Sequence, residues 1–264
     1  MAHYCHSCGN SKTHALEKFN VKKEGDNLVI ALAGNPNTGK STIFNALTGL
    51  NQHTGNWPGK TVLQAQGSFI INGQKCTIVD LPGTYSLLAN SADEVVARNF
   101  ICFGKPDTTI VVTDATCLER NLNLILQVME ITDKVVVCVN LIDEAKRKEI
   151  EVDIKALSEE LGVPVIATSA RKKIGLNELI NTVHQVASGK ILTNPKIIVY
   201  DQEIEGAIKE LEPQLENLLK GELNSKWVAL RLIEGDVLLL EAIKDYLGET
   251  LSSTECEVDM SCAR

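Results

Sequence analysis

The chain has 264 residues, a formal net charge of −8 and 44% hydrophobic residues. This length is enough for one domain of ordinary size and a smaller one, and the apolar content can form a core. The acidic balance argues against a broad surface for nucleic acid or anionic lipid. The sequence shows neither a membrane-spanning apolar run nor a signal peptide, so we expect a soluble, intracellular chain.

A glycine-containing motif follows the first apolar run, residues 28–33, which is typical of a buried strand. Residues 34–41, Gly-Asn-Pro-Asn-Thr-Gly-Lys-Ser, match the P-loop pattern, although a turn in another α/β protein is the alternative. Lys40 would place a positive charge near the β and γ phosphates, and the Ser41 hydroxyl would bind Mg²⁺ at the start of a helix. The predicted nucleotide contacts in this motif are Asn35, Asn37, Thr38, Gly39, Lys40, Ser41 and Thr42.

A second motif, Asp80-Leu-Pro-Gly83, ends the β-rich run at residues 77–80. It looks like the Asp-x-x-Gly switch of GTPases, in which Asp80 would hold Mg²⁺ through a water and the Gly83 N–H would sense the γ-phosphate. A simple turn after a strand is the alternative, because Pro-Gly also suits a turn. Its position about forty residues after a P-loop favours the switch.

Two further motifs favour guanine over adenine. Asn140-Leu-Ile-Asp143 follows an apolar strand, and a carboxylate at Asp143 can accept paired hydrogen bonds from guanine that adenine cannot donate. The commoner form of this motif has lysine where Leu141 stands, so one stacking contact with the base is missing. The Ser169-Ala170 pair ends a later strand and resembles the last guanine-contacting loop. The order of the motifs therefore predicts GTP or GDP as the ligand.

Strands alternate with helices from residue 28 to about residue 190. This alternation predicts an α/β fold with a doubly wound, mostly parallel sheet of the Ras-like P-loop GTPase type, with ligands at the strand ends. Beyond Asn194-Pro195, apolar residues recur at helical spacing and predict a small helical domain. The predicted organisation is an extension with Cys and His at 1–27, a G domain at 28–190, and a helical domain with a C-terminal tail at 191–264.

The cysteines fall into two groups. Those within the predicted G domain are expected to be reduced: Cys76, Cys102, Cys117 and Cys138. Cys5 and Cys8 have half of a zinc-site spacing, and Cys256 and Cys262 would supply further ligands if the termini meet. One Cys-x-x-Cys is a weak pattern, so a reduced tail with incidental thiols is favoured over a metal site.

Three stretches narrow the family: residues 55–61, Gly-Asn-Trp-Pro-Gly-Lys-Thr, residues 81–87, Leu-Pro-Gly-Thr-Tyr-Ser-Leu, and residues 114–122. Together they closely resemble the cytosolic N-terminal GTPase domain of the FeoB ferrous iron transport proteins. The resemblance covers 28 to about 190, and the helical tail matches in position and character only. It implies a helical domain that tunes nucleotide release and a following membrane transport domain as partner, at the cytoplasmic side of a bacterial or archaeal inner membrane.

The resemblance also implies individual roles. Thr61 would be the switch I threonine that completes Mg²⁺ coordination with Ser41 and Asp80. Asn37 would help to bind K⁺ beside the phosphates, with backbone carbonyls near Gly55 and Trp57 as further ligands, although a polar turn residue is the alternative for Asn37. Trp57 is expected in a mobile loop, with simple packing as an equal alternative to a role in switching.

The residues expected to act in catalysis are Asn37, Lys40, Thr61 and Gly83. Thr84 stands where Ras-like enzymes have a water-orienting glutamine, so slow GTP hydrolysis is expected. The favoured function is a GTP-hydrolysing regulatory domain that couples nucleotide state to Fe²⁺ uptake. The alternatives are a potassium-activated GTPase of ribosome assembly or tRNA modification, and a metal-binding module with a vestigial nucleotide site. No nucleic acid is expected as a partner, and a homo-oligomer is left open.

Overall fold

The computed structural model describes residues 15–49, 52–88, 91–196 and 198–259, with side chains up to residue 248. Contacts divide the chain into two compact units between residues 197 and 198. The predicted boundary between residues 190 and 191 falls a few residues earlier. The difference arises because Asn194 and Lys196 donate backbone hydrogen bonds to the carbonyls of Gly162 and Leu161, which holds this stretch on the first unit.

The first unit is built on a seven-stranded sheet with the order β2-β3-β4-β1-β5-β6-β7. The strands are β1 Leu28–Gly34, β2 Gln52–Asn56, β3 Leu63–Ile71, β4 Gln74–Asp80, β5 Thr108–Asp114, β6 Val135–Asn140 and β7 Val165–Ala167. Strands β4, β1, β5, β6 and β7 are parallel, and β2 and β3 add an antiparallel edge. The predicted mostly parallel sheet is confirmed, and the antiparallel hairpin is an addition that the sequence pattern does not predict.

Helices connect the parallel strands on both faces of the sheet. The helices of this unit are α1 Lys40–Thr48, α2 Ala92–Phe103, α3 Leu118–Ile131, α4 Ile142–Arg147, α5 Ile154–Leu161 and α6 Leu176–Ala187. Two of them begin with a side-chain cap: at α2 the side chain of Ser91 accepts a hydrogen bond from Glu94 N, and at α5 that of Asp153 accepts one from Ala156 N. Helical spacing in the sequence predicts helices at 118–131, 152–161 and 175–187, and these agree with α3, α5 and α6 to within two residues.

Two apolar clusters sandwich the sheet. Alternate residues of β1 enter opposite clusters: Val29 and Ala31 pack with α2 and α3, whereas Ile30 and Leu32 pack with α1 and α6. Every residue of β1 is buried because both faces of the sheet are covered, which is why its sequence is a continuous apolar run. The sequence before β1 also joins this core, since Leu16 and Val21 are fully buried.

The second unit consists of helices: α7 Gln202–Leu219, α8 Ser225–Ile233 and α9 Val237–Asp259. Asp201 and Asn224 cap α7 and α8 by accepting hydrogen bonds from Ile204 N and Trp227 N. Lys226 forms an ion pair with Glu205 at 3.1 Å that joins α8 to α7. Among the described residues, no helix combines the length and apolarity needed to cross a bilayer.

Gly162, which ends α5, offers a test of the packing of residues 191–196. Its φ is +72°, and a Cβ there would collide with the backbone carbonyl of Asn194. Gly162→Ala should lower the free energy of unfolding by about 2 kcal/mol or more, because left-handed strain and a backbone clash add. Gly189→Ala is the matched control, because its φ is +71° with no atom within 4 Å of the added Cβ. Urea denaturation monitored by circular dichroism measures the free energy of unfolding of both variants. Equal losses in the two variants would contradict the packing of residues 191–196 against Gly162.

Candidate nucleotide-binding site

The carboxyl ends of the parallel strands bring the predicted site residues to one edge of the sheet. The P-loop follows β1, Asp80 ends β4, and Asn140 ends β6. Strands β4 and β5 lie on opposite sides of β1, so β1 marks a point where the strand order reverses. A crevice outside the strand ends at such a point is where open α/β sheets bind ligands.

The P-loop conformation depends on its glycines and on Asn37. Gly39 has φ +83° and Asn37 has φ +67°, both in the left-handed region. A Cβ at Gly34 would lie 2.6 Å from the carbonyl oxygen of Val112, so no other residue fits beside β5. The Thr38 hydroxyl donates to the Asn35 carbonyl at 2.9 Å and closes the loop. This turn leads directly into α1, whose N-terminus suits an anion.

Lys40 is buried at the start of α1. Its ammonium forms an ion pair with Asp80 and donates to the Leu81 carbonyl at 2.5 Å. Burial raises the pKa of the Asp80 carboxyl, and the positive charge of Lys40 opposes that shift. A phosphate group would compete with Asp80 for the Lys40 ammonium. The ion pair between Lys40 and Asp80 therefore joins the P-loop to the Asp-x-x-Gly motif. Lys40 is the group predicted to bind phosphate, and Asp80 is the group predicted to hold Mg²⁺.

Asn140 joins the P-loop to the loop that is predicted to contact the base. Its amide nitrogen donates to the Thr38 carbonyl at 2.9 Å, and its amide oxygen accepts from the Thr168 hydroxyl and the Ala170 N–H, each at 3.0 Å. A Cβ at Gly39 would collide with this amide. Because the side chain of Asn140 is buried and satisfied on both sides, it fixes the spacing between the two loops.

Asp143 lies in the first turn of α4, three residues after Asn140. Its carboxylate is hydrogen-bonded by the Ser169 side chain and paired with Lys172 at 3.1 Å. These interactions, that with Ser169 first, hold the pKa of Asp143 below its ordinary value, so the group is an acceptor at neutral pH. Sequence reasoning misses Lys172 because no local pattern links it to Asp143; the turn at Ala170–Lys172 creates the pair.

The Asp-x-x-Gly motif at residues 80–83 packs directly on the P-loop. A Cβ at Gly83 would lie 3.4 Å from the backbone of Pro36, and Thr84 N donates to the Gly34 carbonyl at 3.3 Å. The Thr84 side chain is buried. The Gly83 backbone therefore lies beside the loop predicted to hold the phosphates, as a γ-phosphate sensor requires.

The predicted switch I segment, residues 55–61, does not lie with the other predicted site residues. Gly55 lies in β2 and is paired with Gln64 of β3, and Thr61 is exposed in the turn before β3. Strand β2 is two positions from β4, about 10 Å at ordinary strand spacing. Trp57 is buried, and its carbonyl accepts a hydrogen bond from Lys60 N. In the described residues, no hydrogen bond joins Thr61 to Ser41 or Asp80, or Gly55 and Trp57 to Asn37.

The described cysteines do not form a metal site. Cys76, Cys102, Cys117 and Cys138 are free thiols, as predicted. Burial raises the pKa of Cys102 and of Cys138 to about 12, so both stay protonated. Where the structure describes the chain, no group of three or more His, Cys, Asp and Glu residues is placed to hold a metal ion. The candidates Cys5, Cys8 and Cys262 lie outside the described residues, as does the side chain of Cys256.

A P-loop after β1, an Asp-x-x-Gly turn after β4 and an Asn-x-x-Asp turn after β6 define the G-domain fold of P-loop GTPases. Protein-family models identify which family of P-loop GTPases the chain belongs to. The model described as "Ferrous iron transport protein B" matches residues 28–183, and the model described as "FeoB cytosolic helical domain" matches residues 200–259. The chain belongs to the FeoB family, and its two units correspond to the G domain and the helical domain.

Individual relatives agree with this assignment. An "Fe(2+) transporter FeoB" of Methanocaldococcus jannaschii is 44% identical over 82% of this chain and 32% of its own length. A fusion protein of Porphyromonas gingivalis, "Fe(2+) transport protein A/Fe(2+) transporter FeoB", is 38% identical over 91% of this chain and 28% of its own. The chain thus spans about a third of these relatives.

Solved structures show the same fold. The cytosolic domain of the T. maritima FeoB iron transporter in its GMPPNP form has a TM-score of 0.74 and 37% identity over 84% of this chain and 86% of that one. The cytosolic domain of L. pneumophila FeoB has a TM-score of 0.72 and 37% identity over 84% of this chain and 95% of that one. Both comparisons extend well beyond the G domain, so they include part of the helical unit.

Asp143 provides a test of the base site. Asp143→Asn should reverse the preference between GTP and xanthosine triphosphate by about 100-fold in total, because the amide pairs with the xanthine carbonyl that the carboxylate repels. Fluorescent-nucleotide competition measures the two affinities. Lys172→Gln is the control, because it removes the ion pair but keeps the carboxylate, so the preference for GTP should remain. An unchanged preference in Asp143→Asn would contradict the assignment.

Proposed function

We propose that the chain binds GTP and GDP with Mg²⁺, hydrolyses GTP slowly, and couples nucleotide state to Fe²⁺ uptake. The observation that carries this proposal is that Lys40, Asp80, Asn140 and Asp143 lie together at the carboxyl-terminal edge of the parallel strands. The GDP and GMPPNP forms of the T. maritima FeoB cytosolic domain support the nucleotide, and the Fe(2+) transporter FeoB of M. jannaschii supports the cargo.

The three predicted ligands fit Mg²⁺ in chemical type, and Thr61 would join the other two once switch I has moved. Asp80, Ser41 and Thr61 offer only oxygen atoms, the ligands that Mg²⁺ prefers, with Asp80 acting through a water. The carboxylate of Asp80 is half-buried next to the P-loop, and Ser41 is exposed in the first turn of α1. When bound, Mg²⁺ would neutralise charge on the β and γ phosphates.

The protein groups have separate tasks in the proposed reaction. Lys40 exchanges its bonds to Asp80 and Leu81 for phosphate oxygens, and this exchange releases the Asp80 carboxylate. The α1 N-terminus and the P-loop N–H groups orient the phosphates. Gly83 donates its N–H to the γ-phosphate, and Asn140 keeps the P-loop aligned with the loop that contacts the base. Thr84 stands where Ras-like enzymes have a water-orienting glutamine, so slow turnover is expected.

K⁺ is proposed as the partner for the negative charge that develops during hydrolysis. Asn37 is exposed on the P-loop and carries a side-chain oxygen, and carbonyls near Gly55 and Trp57 are oxygen ligands of suitable type. Switch I must move towards the P-loop to bring these carbonyls close, because Gly55 is paired in the β2–β3 hairpin and Trp57 is bonded in the turn that follows β2. A monovalent cation there would do what an arginine finger does in other GTPases.

The coupling to transport is proposed because the chain matches only one part of the longer FeoB transporters. The chain corresponds to about a third of FeoB transporters, so a membrane transport domain in the same full-length protein is the expected partner. The helical unit, which begins at residue 198, is proposed to tune nucleotide release. A place at the cytoplasmic side of the inner membrane follows from the same argument.

Thr61 tests the predicted Mg²⁺ set. Thr61→Ala should slow GTP hydrolysis by about 10- to 100-fold and leave GDP affinity unchanged, because switch I contributes only in the triphosphate state. Single-turnover phosphate release and GDP titration measure the two effects. Thr54→Ala, on the same hairpin, is the control and should be neutral. An equal loss of GDP affinity in Thr61→Ala would count against this role.

Asn37 tests the cation. Turnover should be about tenfold or more faster in K⁺ than in Na⁺, and Asn37→Ala should abolish the difference with little effect on nucleotide affinity. The measurement is phosphate release at matched ionic strength in the two salts. Asn45→Ala, an exposed asparagine within α1, is the control. Equal rates in both salts for the unmodified chain would remove the cation mechanism but leave the GTPase assignment intact.

A further inference from the structure

Residues 15–27 form a strap along switch I and the β2–β3 hairpin. They lie before the part of the chain that matches the G-domain family model, which begins at residue 28. Leu16 and Val21 are fully buried in the same apolar cluster as Trp57. Two side chains of β3 hold the strap backbone: Gln64 donates to the Phe19 carbonyl at 2.8 Å, and Gln66 donates to the Asn20 carbonyl at 2.9 Å.

An aromatic cluster joins the strap to switch I. The ring of Phe19 meets Trp57 edge to face at 6.2 Å between centroids and Phe100 of α2 at 5.3 Å. Trp57 and Phe100 are themselves 5.4 Å apart, so the three rings contact one another. Trp57 is only 2% exposed, and the strap ring covers it together with α2. The indole is therefore held by a segment outside the family match.

The position of Trp57 decides where Thr61 lies. Trp57 N donates to the Val62 carbonyl and Lys60 N donates to the Trp57 carbonyl, so residues 57–62 form one closed turn. Thr61 is exposed in that turn. Thr61 lies two residues before β3, the strand paired with β4 through Ala65 and Asp80, and it must leave this turn to reach a metal ion beside Asp80. That movement pulls on Trp57 and hence on its contacts with Phe19 and Phe100.

We infer that the strap is a built-in restraint on switch I. It holds switch I in the position described above, with no hydrogen bond from Thr61 to Ser41 or Asp80 among the described residues, which we call the open position. The strap thereby lowers the affinity for GTP relative to the affinity for GDP. This inference rests on the proposed GTP-dependent movement of Thr61. A ligand shifts a conformational equilibrium only by its differential affinity for the two states, so weakening the open state must favour the nucleotide that requires the closed one. The strap contacts belong to the open state.

The test compares two phenylalanine truncations in the full 264-residue chain. Phe19→Ala removes the strap ring from Trp57. Phe69→Ala is the matched control, because Phe69 is also half-buried and on the β2–β3 hairpin but packs in the cluster on the other face of the sheet. Two measurements are made on each: amide hydrogen exchange of residues 57–62 without nucleotide, and the ratio of GMPPNP to GDP affinities.

Phe19→Ala should speed exchange of the Trp57 and Lys60 amides and raise the GMPPNP-to-GDP affinity ratio by about threefold to tenfold, the size expected from losing aromatic contacts. Phe69→Ala should change neither. Phe19→Leu, which keeps an apolar side chain, should give a smaller change in the same direction and serves if the alanine variant folds poorly.

The outcomes separate the strap from the proposed function. Unchanged exchange at residues 57–62 in Phe19→Ala and Phe19→Leu would overturn the restraint itself. Faster exchange with an unchanged affinity ratio would overturn its coupling to nucleotide. If the unmodified chain binds neither GDP nor GMPPNP, the proposed function fails and the regulatory inference falls with it, while exchange at residues 57–62 still reports the contact between strap and switch.

Discussion

The site depends on the buried side-chain amide of Asn140. This one group spans from the Thr38 carbonyl on the P-loop to Thr168 and Ala170 on the predicted base-contacting loop, so three segments far apart in sequence share one hydrogen-bonded centre. A buried amide with both ends satisfied fixes geometry better than an apolar contact, because a small displacement leaves a polar group unpaired. The close approach of Gly39 to this amide explains why the loop has glycine there.

Much of this fold follows from local sequence patterns. The apolar run of β1 predicts a strand covered on both faces, and the helical spacing at 118–131 predicts α3 at its observed bounds. The ends of β4 and β6 are predictable because their motifs combine a β-rich run with a polar residue that follows it. Parallel topology then brings Asp80 and Asn140 to the edge where Lys40 lies.

Other features depend on contacts that no local pattern encodes. Strands β2 and β3 contain polar residues and alternate weakly, so the sequence does not predict their pairing. The strap has a polar sequence with Leu16, Phe19 and Val21 as its only large apolar residues, and their burial depends on a groove formed by distant segments. The ion pair of Lys172 with Asp143 likewise arises from tertiary structure.

Strand β2 has a mechanical consequence for the whole domain. It is an edge strand with one neighbour, and its residues are mostly exposed. Peeling it from β3 would break a single row of backbone hydrogen bonds, whereas β3 would stay paired with β4 and the rest of the sheet would lose nothing. One border of the sheet can therefore change shape while the interior of the domain keeps its packing.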